Sequence, residues 1–399
     1  MNCTLKHLSL YPEMEVLYLF NPENDMALAC GDPYYMAPAS ARRMAAELSA
    51  LPAWYAEPGG VVWLDSPLRA KIMKKQFPLP LPVNWVSEFL PIYNKVCPWG
   101  WNPSLVRCLQ EAGFPVTAYP SAERMNRIRQ LSGRQTAVKV LRNLRRSVST
   151  VGEAFVLSSI EEVESFVFSH PRALLKAPWS GSGRGIQYTS GVFPSPLKGW
   201  AQHVLATQHE VMGEPLYDKL LDFAMEFFAD EWGQVRFVGY SLFETDKRGV
   251  YKENLLSMDA AIEARISAYV SAETLRQICR MLQVELAEVI NGDYQGYLGV
   301  DMMICRTDGG GYAVHPCVEI NLRMNMGVVA RLVYDNYVCH GVQGRYVIEY
   351  YAKPGEACRS HLALQERNPL HIEDGKVKSG YLSLTPVEEN TAYQAYILI

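Results

Sequence analysis

Two carboxylates, an amide and an arginine interrupt the apolar runs of residues 297–325, YLGVDMMICRTDGGGYAVHPCVEINLRMN. Asp301 falls in the first run, Glu319 and Asn321 lie two positions apart in the second, and Thr307 to Gly311 between them has the chemistry of a turn. Residues i and i+2 of a strand face the same side, so Glu319 and Asn321 project together, and a hairpin sets Asp301 across from them. Three hard oxygen donors of this kind suit Mg²⁺ bridging to phosphates, with Mn²⁺ as the alternative ion. Arg323, one step further along, is placed to meet negative charge developing on a reacting acyl phosphate. A structural salt bridge between Arg323 and Glu319 is the competing account. Left unpaired, though, such charges among Val, Ile, Met and Cys are costly to bury.

A second segment, LLKAPWSGSGRGI at 174–186, presents Lys176 at the end of a short apolar strand. Ser180, Gly181, Ser182, Gly183, Arg184 and Gly185 follow at once. Glycine lets successive N–H groups aim at one point and lets an anion come close, while a lysine adds a point charge for a phosphate oxygen. The lysine precedes the glycines, so this is not a Walker A loop, and the spacing of a dinucleotide fingerprint is absent. A flexible hairpin loop beside a surface lysine is the plain alternative. Between the two segments, Glu214 and Asp222 flank a turn, where carboxylates can hydrogen-bond an adenine amino group or ribose hydroxyls. Ordinary surface acids account for that spacing at least as well. His315 reads as a packed histidine, and His203 and His340 have no partners at ligand spacing.

These residues need elements to hold them. EVLYLF at 15–20 is a strand closed by the turn-forming Asn21-Pro22-Glu23-Asn24-Asp25, a helix is expected over 38–50, and VVWL at 61–64 is a second strand. A helix over 103–112, stopped by Gly113, completes an α/β unit with a mostly parallel sheet. The polar and aromatic stretch 20–35 leaves the first strand where open α/β sheets bind ligands, and a purely structural turn explains it equally well. Past Tyr119-Pro120-Ser121 the chain turns basic and helical over 121–146. A helix over 160–170, a buried strand over 173–178, a long helix over 271–290, and strand-like RYVIEYYA and AYILI near the end follow.

Bulk properties narrow the class. The chain has 399 residues, 49% hydrophobic and 20% charged, with a net charge of −4, which fits two or three globular units. It has no basic run to neutralise a nucleic-acid backbone, and the short cluster Arg142, Arg145, Arg146 reads as a solvated helix face. Nine scattered cysteines form no Cys-x-x-Cys pair, so reduced thiols are expected rather than a disulfide framework or a zinc ribbon. With neither a signal peptide nor a membrane span to be read, the expected location is the cytoplasm.

Taken in order, LLKAPWSGSGRG, VMGEPLYDKLLDF, LGVD and VEINLRMN resemble the motifs of the ATP-grasp superfamily over roughly residues 121–330. The resemblance implies an N-terminal α/β domain at 1–120, a smaller α+β lobe with the glycine-rich loop at 121–205, and a larger lobe at 206–399 with the metal site and a C-terminal extension. ATP and Mg²⁺ are the implied cofactors. Lys176 then looks like the lysine on the α- and β-phosphates, and Ser180 to Gly185 like the flap over them. Glu214 falls near adenine and Asp222 near ribose. Asp301, Glu319 and Asn321 look like the metal ligands, with Arg323 and Asn325 on the γ-phosphate side. The family's first phosphate-contacting basic residue is usually a lysine. Here Arg134 takes that place, with Lys139 as its rival. The implied activity is a ligase that joins a small-molecule carboxylate to an amine through an acyl phosphate. A kinase on the same fold and a non-catalytic nucleotide-binding protein are the alternatives. The carboxylate, the nucleophile and the oligomeric state are not read from the sequence.

Overall fold

The computed structural model describes residues 16–147, 150–180, 185–245 and 251–399. It begins with β1 (Val16–Leu19), α1 (Asn24–Cys30), α2 (Ala39–Glu47), β2 (Val61–Trp63), α3 (Pro67–Gln76), β3 (Asn84–Val86), β4 (Lys95–Pro98) and α4 (Pro103–Glu111). The strands form a parallel sheet in the order β3-β2-β1-β4. Leu17, Val61, Val96 and Leu109 pack on one face, and Tyr18, Ala53, Val62 and Met73 on the other. Two differences from the sequence expectation matter. The turn expected over Asn21 to Asp25 is halved, because helix α1 starts at Asn24, buries Ala27 and Leu28, and closes on Gly31 at φ 71°. The chain also adds β4 beside β1, pairing Leu19 with Pro98, so the segments leaving these two strands run side by side.

Helices α5 (Ala122–Leu131) and α6 (Arg134–Ser147) divide the basic helical stretch in two. Arg142 and Arg145 are exposed as expected; nothing is described for the Arg146 side chain. Next come β5 (Phe155–Leu157), α7 (Ile160–Ser169), β6 (Ala173–Lys176), β7 (Ile186–Thr189), α8 (Ser195–Gln208) and β8 (Val211–Pro215). They make an antiparallel sheet ordered β5-β8-β6-β7, backed by α7 and α8 through Val163, Phe166, Leu175, Ala201 and Val204.

The remainder is β9 (Asp218–Ala229), β10 (Val235–Thr245), β11 (Tyr251–Leu256), α9 (Asp259–Ile266), α10 (Ala272–Ile290), β12 (Gly296–Arg306), β13 (Tyr312–Asn321), α11 (Met326–Tyr337), β14 (Gly344–Tyr350), α12 (Glu356–Arg367), β15 (His371–Glu373), β16 (Lys376–Ser379), β17 (Tyr381–Ser383) and β18 (Tyr393–Leu398). Eight of these strands form one sheet, β13-β12-β9-β10-β11-β14-β18-β17, so the C-terminal strands are part of the main scaffold. Helix α10 lays Leu275, Ile278, Leu282, Leu286 and Ile290 against this sheet, the 3–4 spacing of one helix face. Helices α5 and α6 share the same core through Met125, Ile128, Val140 and Leu144. Phe20, Leu48, Trp54 and Trp99 of the first unit pack with Val328, Val333 and Ile397. Among the described residues no helix is long and apolar enough to cross a membrane, and the eight described cysteines are free thiols.

Candidate functional site

The hairpin β12–β13 pairs Asp301 with Glu319 and Gly299 with Asn321, which sets the three oxygen-bearing side chains at adjacent positions. The register slips immediately beyond, so that Met303 faces His315. Pro316 sits in the slipped stretch and brings no N–H to the ladder, which is where a sheet tolerates a bulge. Asn321 Nδ2 donates to Asp301 Oδ2 at 3.1 Å. Burial, and after it the charge of Glu319, push the Asp301 carboxyl up to about 7; the solvent that this partly exposed side chain still meets works against the rise. Two carboxylates paired across the hairpin fit a hard divalent cation, while the Asn321 amide turns its nitrogen to Asp301 and its oxygen to Arg323. Among the described residues no group of three or more His, Cys, Asp or Glu converges on one point, so the candidate metal position rests on this mixed set.

Two arginines bracket the hairpin, and in place of the Arg323–Glu319 bridge of the competing account Glu319 pairs with Arg134 and Arg323 with Asp25. Arg134, at the start of α6, donates to Glu319 Oε1 at 2.8 Å, to Ala177 O at 2.6 Å and to Ser180 Oγ at 2.7 Å, with Ser180 O at 3.3 Å. Its Nε is buried without a partner. The rival Lys139 is exposed on α6. Arg323 instead directs its fork at Asp25, Nε to Oδ1 and Nη2 to Oδ2, both 2.7 Å. Nη2 also reaches Asn321 Oδ1 and Nη1 reaches Met324 O, each at 3.0 Å. Burial disfavours charge on Arg323, and the carboxylates of Asp25, Glu319 and Asp301 together more than offset this.

Lys176 ends β6 and donates to Glu214 Oε2 of the adjacent strand β8 at 2.6 Å, both side chains buried. This uses one of the three ammonium donors and one of the two carboxylate oxygens, leaving capacity on each. Cys317, on the hairpin strand, lies within electrostatic reach of Asp301, Glu214, Glu319 and Lys176, and burial above all raises its thiol pKa. Arg134 joins Ala177, the residue after Lys176, to Glu319, so the lysine pair and the hairpin border one region. Gly185, at φ 76°, returns the loop, with its carbonyl accepting from Ala177 N at 2.9 Å. A Cβ there would come within 2.9 Å of the Ser180 side chain. Gly181, Ser182, Gly183 and Arg184 lie outside the described residues.

Asp222 stands opposite Met303 on β9, paired with Lys219 at 2.5 Å. Asn325 turns both ends of its amide to the protein. Its oxygen caps α11 by accepting from Val328 N at 2.9 Å, and its nitrogen donates to Glu226 Oε2 at 2.8 Å. Glu226 was missed in the sequence, though it shares the period-2 face of Asp222 on β9. It is fully buried opposite Gly299, and burial pushes its carboxyl up to about 8 against the Asn325 hydrogen bond. A Cβ at Gly299 would fall 2.4 Å from Asn325 Nδ2 and 2.5 Å from Glu226 Oε2. Asp25 was also missed as an individual residue. It lines an open cleft together with Asn24, Trp179, Ser180, Glu319, Asn321 and Arg323.

A small sheet with a glycine-rich hairpin, set against a large antiparallel sheet that carries paired carboxylates and follows a parallel-sheet unit, is the ATP-grasp arrangement, and this chain has that fold. Biotin carboxylase from Campylobacter jejuni, in a β-γ-ATP complex, superposes with a TM-score of 0.53 at 10% identity, covering 97% of this chain and 87% of that one. The biotin carboxylase domain of 2-oxoglutarate carboxylase from Hydrogenobacter thermophilus, in complex with MgADP, ADP and bicarbonate, gives 0.52 at 12% identity with the same coverage. No family model matches the sequence, and no curated protein matches it. At such identities the likeness establishes the fold alone.

Proposed function

We propose that this chain is an ATP- and Mg²⁺-dependent ligase that joins a small-molecule carboxylate to an amine, or a similar nucleophile, through an acyl phosphate. The observation that carries this reading is the in-register set of Asp301, Glu319 and Asn321, bracketed by Arg134 and Arg323. In this reading residues 121–205 and 206–399 clamp the nucleotide, and residues 1–120 flank the substrate end. Lys176 uses its remaining donors on phosphate oxygens, Glu214 offers its remaining oxygen to the adenine amino group, and Asp222 faces the ribose. Arg134 holds Ser180 and the start of the glycine-rich loop over Glu319. Mg²⁺ held by the two carboxylates and the amide would supply charge neutralisation on the phosphate oxygens. Phosphoryl chemistry of this kind asks for positioning and fixed charge rather than a covalent protein nucleophile. The ATP-family ligands of the two biotin carboxylases are in keeping with it.

Glu319→Gln tests the reading. The amide keeps an oxygen to accept from Arg134, so the fold persists, while the anionic ligand is gone. ATP turnover, measured as ADP release with pooled small carboxylates and amines, should fall by about 10³-fold or more. Normal turnover in this variant removes the metal assignment. Phosphate released only when an amine is supplied marks joining, as opposed to phosphorylation that stops at the first product.

A further inference from the structure

The turn after β1 and the segment after β4 interlock through buried amides. Asn21 Nδ2 donates to Gly100 O at 2.8 Å, and Gly100 N donates to Asn21 Oδ1 at 3.3 Å. The Asn24 amide sits 3.0–3.1 Å from the carbonyls of Gly100 and Trp101 and from Asn102 Nδ2. Asn102 in turn caps α4 by accepting from Leu105 N at 3.0 Å. Asn21, Asn24 and Asn102 are at most 8% exposed. Gly100 leaves no room for a side chain, since a Cβ there would lie 2.4 Å from the Asn24 amide. Burying three amides is costly unless each is paired; Asn21 has both ends engaged, and one end of the Asn24 amide meets the Gly100 and Trp101 carbonyls or the Asn102 nitrogen, according to its orientation. What the lattice delivers is the next residue, Asp25, with both carboxylate oxygens on Arg323.

The grip on Arg323 comes from two directions. Its guanidinium has five N–H donors, and Asp25, Asn321 and the Met324 carbonyl take four of them. The loop that carries it is tied to the same lattice, because Met324 N donates to Trp99 O at 2.8 Å. A free arginine samples many rotamers, and a guanidinium that must meet charge as it develops gains from having that freedom removed beforehand. Among the described residues these four contacts are the side-chain hydrogen bonds of Arg323, which lines the cleft. We propose that Asp25 is a positioning residue that sets the Arg323 guanidinium for the reacting phosphoryl or acyl group, so that the N-terminal unit completes the site. This rests on the ligase reading above.

The test compares Asp25→Ala, Asp25→Asn, Arg323→Ala and the Asp25→Ala/Arg323→Ala double variant of the full chain, by calorimetric binding of Mg·ADP alone and of Mg·ADP with aluminium fluoride, a mimic of the transferring phosphoryl group. Wild type should bind the fluoride complex at least about tenfold more tightly than Mg·ADP. Arg323→Ala should lose that gain. Asp25→Ala should lose most of it while binding Mg·ADP itself within about twofold of wild type, and the double variant should be no worse than Arg323→Ala. Formate, which fits the vacated position, should restore part of the gain to Asp25→Ala and none to Arg323→Ala. Asp25→Asn keeps the side-chain shape and should show the same loss, which separates positioning from misfolding. If Arg323→Ala loses the gain while both Asp25 variants keep it, the inference is overturned and the ligase reading stands. If Arg323→Ala keeps it, or wild type gains nothing from fluoride, the ligase reading of Arg323 fails and takes the inference with it.

Discussion

In the hairpin β12–β13, Asp301, Glu319 and Asn321 interrupt apolar strands, and Glu319 and Asn321 line a cleft. In the turn from Asn21 to Asp25, two uncharged amides are buried, Glu23 is half-buried, and the Asp25 carboxylate reaches Arg323. Both regions end at Arg323, the hairpin through Asn321 and the turn through Asp25. The hairpin holds its groups by strand register, which a two-residue repeat fixes. The turn holds its group by a set of amide hydrogen bonds, each of which needs a partner from a distant segment. Register is a robust device. An amide lattice is exacting, and it fails when one member is displaced.

That contrast gives an order of vulnerability. The largest stability effect belongs to the ion pair beside the hairpin. Lys176→Met keeps the aliphatic stem but leaves Glu214 buried and unpaired, and removing one partner of such a pair costs about 3–5 kcal/mol. Urea unfolding followed at the small sheet should show this loss together with weaker Mg·ADP binding; unchanged stability would mean that the pair is solvated in solution. Next comes the lattice. Gly100→Ala forces a Cβ into the Asn24 amide, an overpacking of a buried site that costs about 1–3 kcal/mol. It should also lower ADP release under the turnover assay with little change in Mg·ADP binding. A variant with full turnover would show that the lattice yields without moving Asp25, and the contrast drawn above would lapse.

The difference also explains what could be read in the chain beforehand. Asp301, Glu319 and Asn321 were legible because charge inside an alternating apolar pattern is rare unless something uses it. The turn residues between the strands pointed to a hairpin, whereas the pairing of Asp301 with Glu319 depends on the register slip between Asp301 and Met303, which the turn does not encode. Glu226 carried the same signal, an acid on the Asp222 face of β9, and it was overlooked because Phe223, Phe227 and Phe228 dominate that stretch. The parallel sheet and the long helix α10 were legible from periodicity. Helix α1 was not, since Asn21-Pro22-Glu23-Asn24-Asp25 has the composition of any surface turn. Whether such a turn is structural or part of a site depends on Gly100 and Asn102, nearly 80 residues away, and local pattern carries no information about that pairing. The strands β14 and β18 were seen as strands, but their place in the main sheet is likewise a matter of non-local pairing.

His315 offers a finer probe of the hairpin side. It lies in the slipped stretch of β13, about 1% exposed, with neither ring nitrogen partnered and the Tyr217 ring edge-on at 5.4 Å. Burial first, and the Lys176 charge second, lower its pKa from 6.5 to about 3. The folded state therefore holds the ring neutral where the unfolded chain takes up a proton. Its contribution to stability is complete above pH 6.5 and is lost progressively as pH falls toward 3. The slope should reach at most about 1.4 kcal/mol per pH unit in that window. His315→Gln removes the titrating group, so the difference in slope between wild type and variant measures the effect directly. Equal slopes would place a water or a hydrogen-bond partner at the ring, and the hairpin would then be less dry than its packing indicates.

The smallest effect separates the two candidates for the phosphate-contacting cation. Lys139 and Arg134 share helix α6, five residues apart, so they point in different directions around it. Lys139 faces solvent, and surface substitutions away from special features change stability by no more than about 0.5 kcal/mol. Lys139→Ala should therefore leave unfolding, Mg·ADP affinity and turnover at wild-type values. Arg134 spends four N–H contacts joining the glycine-rich hairpin to Glu319, so Arg134→Lys, which keeps the charge and loses the fork, should weaken nucleotide binding and turnover together. If instead Lys139→Ala impairs Mg·ADP binding while Arg134→Lys does not, the cation nearest the phosphates has been misplaced, and Arg134 is only a strut between the two sheets.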